Sequence, residues 1–192
     1  MGINIYEVKR KTLIKYTNTD TPKRVNRGKR LHYRFVNFDE TKLRRKYDGM
    51  FVGVVSGGAR SHETFVLVHQ LLENIRQFML VHDKTINQLT NMDMVSIVAE
   101  AIKENDVEVF CDCEDFQYRF AYTATLKNYN VPGREEKRPA KETNPRNKGA
   151  LCKHLVCTFN NNSFIRRAVP QILRELKANE KFYLSQMNLE NV

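Results

Sequence analysis

The stretch Val107-Glu108-Val109-Phe110-Cys111-Asp112-Cys113, followed by Cys152-Lys153-His154 after a gap of 38 residues, decides the fold of this chain. Two tight pairs of thiolate and imidazole donors, separated by a long insertion, form the pattern that a tetrahedral structural zinc site requires. Four such donors fill the coordination shell of Zn²⁺, which leaves no position for a substrate. The sequence therefore predicts a metal-stabilised module rather than a metalloenzyme. The predicted ligands are Cys111, Cys113, Cys152 and His154.

Local geometry can bring these side chains together. Segment 107–110 is typical of a strand, and residues i and i+2 of a strand point to the same face, so Cys111 and Cys113 can converge at its end. In a helix the same spacing points side chains in nearly opposite directions, so Cys152 and His154 cannot both lie inside one. We expect Cys152 in a loop and His154 in the first turn of a short helix.

Two alternatives to this ligand set stay open. Cys157, three residues after His154, could replace one ligand, although we interpret it as a core residue. The cysteines could also be buried thiols that pack as small apolar side chains, beside a surface histidine. Disulfides are disfavoured because a C-x-C pair closes too small a ring, and a reducing compartment fits best.

The positive charge of the chain is concentrated near its beginning. The net charge is +10, and residues 1–50 carry 14 Lys and Arg against 5 Asp and Glu. Such a face suits a polyanion, either nucleic acid or an acidic protein surface, although it could also be a solvated surface alone. Reversing the charge of Arg44, Arg45 and Lys46 is expected to weaken partner association with little change in melting temperature.

The apolar pattern predicts an α+β fold with N-terminal antiparallel strands, a helical hairpin, a small zinc-stapled ββα-like module and a C-terminal helix. Strands are predicted at 3–8, 12–16, 31–38, 50–55 and 107–110. Helices are predicted at 61–81, 90–103, 114–127 and 162–177, with Pro170 kinking or splitting the last one. Segment 114–127 keeps a strand as its alternative, because Tyr118, Phe120 and Tyr122 alternate with other residues. Basic loops are predicted at 18–30 and 128–150.

These elements suggest three segments. Residues 1–105 hold the basic strand region and the helix pair, 106–160 form the zinc module, and 161–192 form a C-terminal helix that packs on the core. Loop 128–150 lies between the two ligand pairs and carries several Lys and Arg. Because loops of this length are usually functional or disordered, we interpret it as a contact arm held at both ends by the metal.

The ligand pattern resembles the SWIM-type zinc module, in which C-x-C follows a strand and C-x-H leads into an apolar helix, here Leu155-Val156. The string from Cys111 to Tyr122, CDCEDFQYRFAY, and the segment from Asn144 to Leu155 resemble SWIM-like proteins encoded by tailed bacteriophages. The resemblance implies a structural Zn²⁺ and a component of a phage particle.

Three classes of function follow. The first is a non-enzymatic, zinc-stabilised assembly protein in a virion or the host cytoplasm, which contacts other subunits and for which DNA is a further candidate partner. The second is a zinc-dependent nucleic-acid-binding regulator that uses residues 1–50 and loop 128–150. The third is an enzyme, which we disfavour because Ser61-His62-Glu63 are too close in sequence to form a triad, and Asp112, Glu114 and Asp115 fit solvent-facing carboxylates.

We therefore expect no catalytic residue, no small-molecule substrate and no other cofactor. The first residues lack the apolar core of a signal peptide, so secretion is not expected. The chain has no run of about 18 apolar residues, so we expect no membrane span.

Overall fold

The computed structural model describes residues 20–56, 60–147, 149–160 and 163–189. Its described part is α+β, as predicted, with a four-stranded antiparallel sheet and several helices. The strands predicted at 3–8 and 12–16 lie outside the described residues. Within that described part, no helix combines the length and the apolar composition needed to cross a bilayer.

The sheet has the spatial order β1-β2-β3-β4, and each neighbouring pair is antiparallel. Its strands are β1 (His32–Asp39), β2 (Gly49–Ser56), β3 (His62–Val68) and β4 (Val107–Cys111). The helices are α1 (Asp20–Lys29), α2 (Glu40–Lys46), α3 (Leu71–His82), α4 (Asn91–Glu104), α5 (Glu114–Arg119), α6 (Ala121–Leu126), α7 (Lys153–Asn160), α8 (Ser163–Ala178) and α9 (Glu180–Gln186), with a 3₁₀ turn at Ile86–Gln88.

Several predicted elements are confirmed where local signals are strong. Strands β1 and β2 and helix α4 lie within one or two residues of their predicted bounds. Thr90 caps α4: its hydroxyl accepts a hydrogen bond from the amide of Asp93 at 3.2 Å, and the Asp93 carboxylate accepts one from the Thr90 amide at 2.9 Å. The residues predicted to face inward are buried, namely Met94, Ile97, Val98, Ala101 and Ile102.

The helix predicted at 61–81 is wrong in its first half. Residues 62–68 form β3, and the helix begins only at Leu71. Successive residues of a strand point to opposite faces, and Val66 and Leu67 of β3 are both buried, so β3 is covered on both faces. A strand buried on both faces shows no alternation of apolar and polar residues, so periodicity alone cannot separate it from a helix.

The loop predicted at 18–30 is also wrong, because residues 20–29 form α1. This helix packs against α7, and Gly28 lies at the contact. A Cβ atom on Gly28 would lie 2.7 Å from Cγ1 of Val156 and 2.8 Å from the carbonyl oxygen of Lys153. Tertiary packing therefore overrides a local sequence of modest helix propensity, and the glycine permits a close approach instead of a turn.

The C-terminal helix α8 is not split at Pro170, contrary to one of the two outcomes predicted. Pro170 lies on the exposed side of the helix, where water can replace the hydrogen bond that its missing N–H would have made. Helix α8 packs against β1 and α4, and α7 packs against β3 and β4.

A single cluster of buried apolar residues extends from Leu31 to Leu189 and includes Cys111, Cys113 and Cys152. The predicted metal module is thus in contact with the main core through its own ligands. The division of the chain at 105 and 160 stays a prediction.

Candidate metal centre

The structure brings the four predicted ligand residues together. One donor atom from each of Cys111, Cys113, Cys152 and His154 lies within 4.8 Å of every other. All four residues are buried, with exposed fractions between 0% and 4%. The cluster can hold a metal ion, and it joins the end of β4, the start of α5 and the start of α7.

The first pair is positioned by the end of β4. Cys111 is the last residue of that strand, and Cys113 caps the N-terminus of α5. The Cys113 sulfur accepts a hydrogen bond from the amide of Phe116 at 3.3 Å. The amide of Asp112 donates to the carbonyl of Glu63 at 3.2 Å, so pairing with β3 continues between the two cysteines. The strand and the helix therefore fix both sulfurs.

The second pair lies as the spacing predicts. Cys152 precedes α7, and His154 is in the first turn of that helix. Gly149, three residues before Cys152, has a φ of +74°, which glycine adopts without strain. A Cβ atom added to Gly149 would lie 3.1 Å from Cε1 of the Phe120 ring. The turn that delivers the second ligand pair therefore needs a glycine.

The electrostatics of the cluster favour a bound cation. Burial raises the pKa of the Cys111 and Cys152 thiols far above the ordinary range. Hydrogen bonds from those two thiols lower the pKa of Cys113. Three buried thiolates would repel one another unless a cation compensated them. A divalent ion at the centre would supply that compensation.

A fifth residue, the partly exposed His62, lies against the cluster. Its ring lies against that of His154, with ring centroids 4.4 Å apart, and its Nδ1 lies 2.9 Å from Oδ1 of Asp112. In the β3–β4 register Thr64 is opposite Cys111, which places His62 beside the ligands. We missed this residue because we predicted that it lies on a helix. A strand prediction for 62–68 would have found it.

The remaining cysteine lies outside the cluster. Cys157 is buried, and its sulfur donates a hydrogen bond to the carbonyl of Leu31 at 3.3 Å. Burial raises the pKa of this thiol to about 11. Cys157 is therefore placed as a core residue.

The loop between the ligand pairs is packed against the molecule in its described part. The amide of Val109 donates to the carbonyl of Tyr129 at 2.7 Å, so the start of the loop lies alongside β4. The guanidinium of Arg134 lies 5.0 Å from the ring centroid of Phe110, and Arg138 forms an ion pair with Glu136 at 2.8 Å. These two cations of the predicted contact arm are engaged within the molecule.

The acidic residues near the ligands also have partners. Asp112 pairs with His62, and Asp115 lies 3.3 Å from Nε of Arg24 and 3.4 Å from Nε of Arg119. The contacts with His62 and Arg24 join the metal centre to β3 and α1, whereas the contact with Arg119 lies within α5.

Comparison of the chain with protein-family models, with curated proteins and with solved structures found no match.

Proposed function

We propose that Cys111, Cys113, Cys152 and His154 hold a structural Zn²⁺, and that the protein is a non-enzymatic assembly component of a tailed-phage particle that contacts other subunits. The observation that carries the metal assignment is the buried set of three sulfurs and one imidazole. Thiolate and imidazole donors favour Zn²⁺ over the hard cations Mg²⁺ and Ca²⁺, which take oxygen ligands.

The one distance within the cluster that can be compared with coordination geometry supports this choice. Cys111 Sγ and His154 Nδ1 are 3.7 Å apart. Bond lengths of about 2.3 Å to sulfur and about 2.05 Å to nitrogen, at a tetrahedral angle, place these two atoms about 3.6 Å apart. The measured separation therefore matches one edge of a tetrahedral zinc site.

A structural role fits better than a catalytic one because the four donors close the shell and are almost fully buried. A catalytic zinc keeps one position open for water or substrate. The ligands also join elements far apart in sequence, so the metal would fix the ends of the segment between β4 and α7. Zinc bound in this way contributes directly to folding.

The assembly role is supported by the resemblance of segment 111–122 to SWIM-like phage proteins and by the basic first quarter of the chain. The test is mass spectrometry of density-purified particles from cells that produce this chain, together with elemental analysis of the purified protein. We expect the chain in particles at a constant ratio to the capsid protein, and about one zinc per chain. A chain found only in the soluble lysate would contradict the particle role.

A second candidate is a zinc-dependent nucleic-acid-binding regulator. It is favoured by the excess of 14 basic over 5 acidic residues in segment 1–50. A regulator would bind short DNA by itself and discriminate between sequences, whereas a particle component would bind partner proteins and treat all DNA sequences alike. Binding to a panel of unrelated duplexes separates the two.

A further inference from the structure

A basic cleft lies beside the metal centre, at the junction of α1, α5 and α7. Its volume is about 440 Å³. Five cations and one carboxylate line it, namely Lys23, Arg24, Arg27, Arg119, Lys153 and Asp115. We propose that this basic cleft binds phosphate groups of a nucleic-acid backbone. The inference rests on the proposed function, because the metal ligands position two of its walls.

Helix α1 forms the first wall. Lys23 and Arg27 are four residues apart and therefore project from the same side of the helix. Both are exposed, and neither forms an ion pair within the part of the chain that the structure describes. The close contact of Gly28 with α7 brings this side of α1 towards Lys153. The first wall thus supplies two cations that no ion pair within the described residues offsets.

The metal ligands position the remaining walls. Lys153 lies between the ligands Cys152 and His154, and Asp115 lies two residues after Cys113. The Asp115 carboxylate contacts the guanidinium groups of both Arg24 and Arg119. Its single charge is thereby shared, and it orients the two guanidinium groups. Ordered guanidinium groups bind phosphate well because less conformational entropy is lost on binding.

The guanidinium of Arg24 is held from a second side. It lies 5.0 Å from the ring centroid of Phe120, and its side chain is only 14% exposed. An arginine fixed by an aromatic ring and a carboxylate has few rotamers left to lose. The cleft is therefore preorganised for binding an anion.

The excess positive charge indicates what the cleft binds. Five cations around one cavity repel one another, and a bound polyanion relieves that repulsion. A nucleic-acid backbone is such a polyanion, with one negative charge per about 1.7 Å of duplex. It also fits the excess of basic residues in segment 1–50, to which Lys23, Arg24 and Arg27 of the cleft belong. None of these contacts reads a base, so we expect binding without sequence preference.

The test measures the binding of a fluorescent DNA duplex to the zinc-loaded full-length chain by anisotropy. The test variant carries Lys23→Glu and Arg27→Glu. The control carries Arg45→Glu and Lys46→Glu, which change the net charge by the same amount on the exposed side of α2. We expect the test variant to bind at least about tenfold more weakly than the control. The slope of its log binding constant against log salt concentration should also be less steep, by the contribution of about two phosphate contacts.

Equal weakening by the two variants would overturn the proposal, since it would show that binding depends on net charge alone. Competition by polyglutamate as strong as that by DNA of equal charge would also overturn it, in favour of an acidic protein partner. Zinc content and melting temperature are measured on the same samples. A zinc-loaded, folded chain that binds no DNA contradicts this inference alone, whereas a chain that binds no zinc contradicts the proposed function.

Discussion

Arg44 on α2 and Glu175 on α8 form a two-point ion pair. Arg44 Nε lies 2.6 Å from Oε1 of Glu175, and Nη2 lies 2.7 Å from Oε2. Glu175 is only 4% exposed, and the Tyr183 hydroxyl donates to its Oε1 at 2.7 Å. All three adjacent cations at 44–46 are exposed, but Arg44 is committed to the fold by this ion pair, whereas Arg45 and Lys46 form none within the described residues.

This pair revises our expectation that the charge of all three cations can be reversed with little change in melting temperature. Replacing Arg44 leaves the buried Glu175 carboxylate without its cation, and an unpaired buried charge is costly. We expect Arg44→Gln to lower the melting temperature by several degrees and Arg45→Gln to leave it almost unchanged. Thermal unfolding followed by circular dichroism measures both, and equal melting temperatures would refute the structural role of Arg44.

The effect of Arg44→Gln should depend on pH. The hydrogen bond from Arg44 is the largest cause that lowers the pKa of Glu175 below its ordinary value. A carboxyl with a lowered pKa stabilises the fold above its unfolded-state pKa, and that contribution is lost as the pH falls. The difference between Arg44→Gln and the unaltered chain should therefore shrink on acidification. A constant difference down to low pH would mean that packing, and not charge, links the two residues.

A matched pair of variants can distinguish the role of a metal ligand from that of the remaining buried cysteine. Cys113 and Cys157 are both buried, but only Cys113 belongs to the cluster. Apparent binding free energies of structural zinc are on the order of 10 kcal/mol, which is comparable with the whole stability of a domain. We expect Cys113→Ser to abolish zinc binding and cooperative unfolding. Cys157→Ser should keep about one zinc per chain and cost about 1 kcal/mol.

Elemental analysis and urea unfolding, with and without a chelator, measure these effects. The chelator should destabilise the unaltered chain and Cys157→Ser alike, because both would lose the same ion. A Cys113→Ser chain that unfolds like the unaltered one would show that the cluster is a set of buried thiols and holds no structural metal.

The parts of the fold that the sequence predicted depend on local signals. The capping residues Thr90 and Asp93 lie within one turn of each other, and Cys111 ends a short strand two residues before Cys113. The parts that it did not predict depend on distant partners. Helix α1 is stabilised against Val156, more than a hundred residues away, and the position of His62 beside His154 depends on the β3–β4 register. Neither contact produces a periodic pattern along the sequence.

His69 connects two carboxylates at the turn between β3 and α3. Its Nδ1 lies 3.4 Å from Oδ2 of Asp48, and its Nε2 lies 3.2 Å from Oε1 of Glu108. Hydrogen bonds to Asp48 and then to Glu108 raise the pKa of His69 to about 10. The protonated imidazole therefore stabilises the fold fully below the ordinary histidine pKa of about 6.5, and this contribution is lost as the pH rises through 10.

We expect His69→Gln to lower the free energy of unfolding by about 2 kcal/mol near pH 6, after allowance for the solvent-exposed part of the side chain. The loss should diminish between pH 6.5 and 10 as His69 of the unaltered chain deprotonates. His82→Gln is the control, since His82 is exposed and its side chain forms no ion pair within the described residues. A loss for His69→Gln that does not change with pH would contradict the charged bridge.

At the contact between α1 and α7, we expect replacement of a helical glycine by alanine to destabilise the fold, which is the opposite of its usual effect. In an exposed helix, replacing glycine by alanine stabilises the helix by up to about 1 kcal/mol. At Gly28 the new Cβ would meet Cγ1 of Val156 at 2.7 Å and the backbone oxygen of Lys153 at 2.8 Å, so α1 or α7 must move. We therefore expect Gly28→Ala to lower the melting temperature and to increase amide hydrogen exchange in segment 20–29.

Asn26→Ala, on the exposed side of α1, should have the opposite effect on both measurements. Because α7 begins between two metal ligands, a protected α1 in Gly28→Ala would mean that the two helices are held together by contacts other than this one.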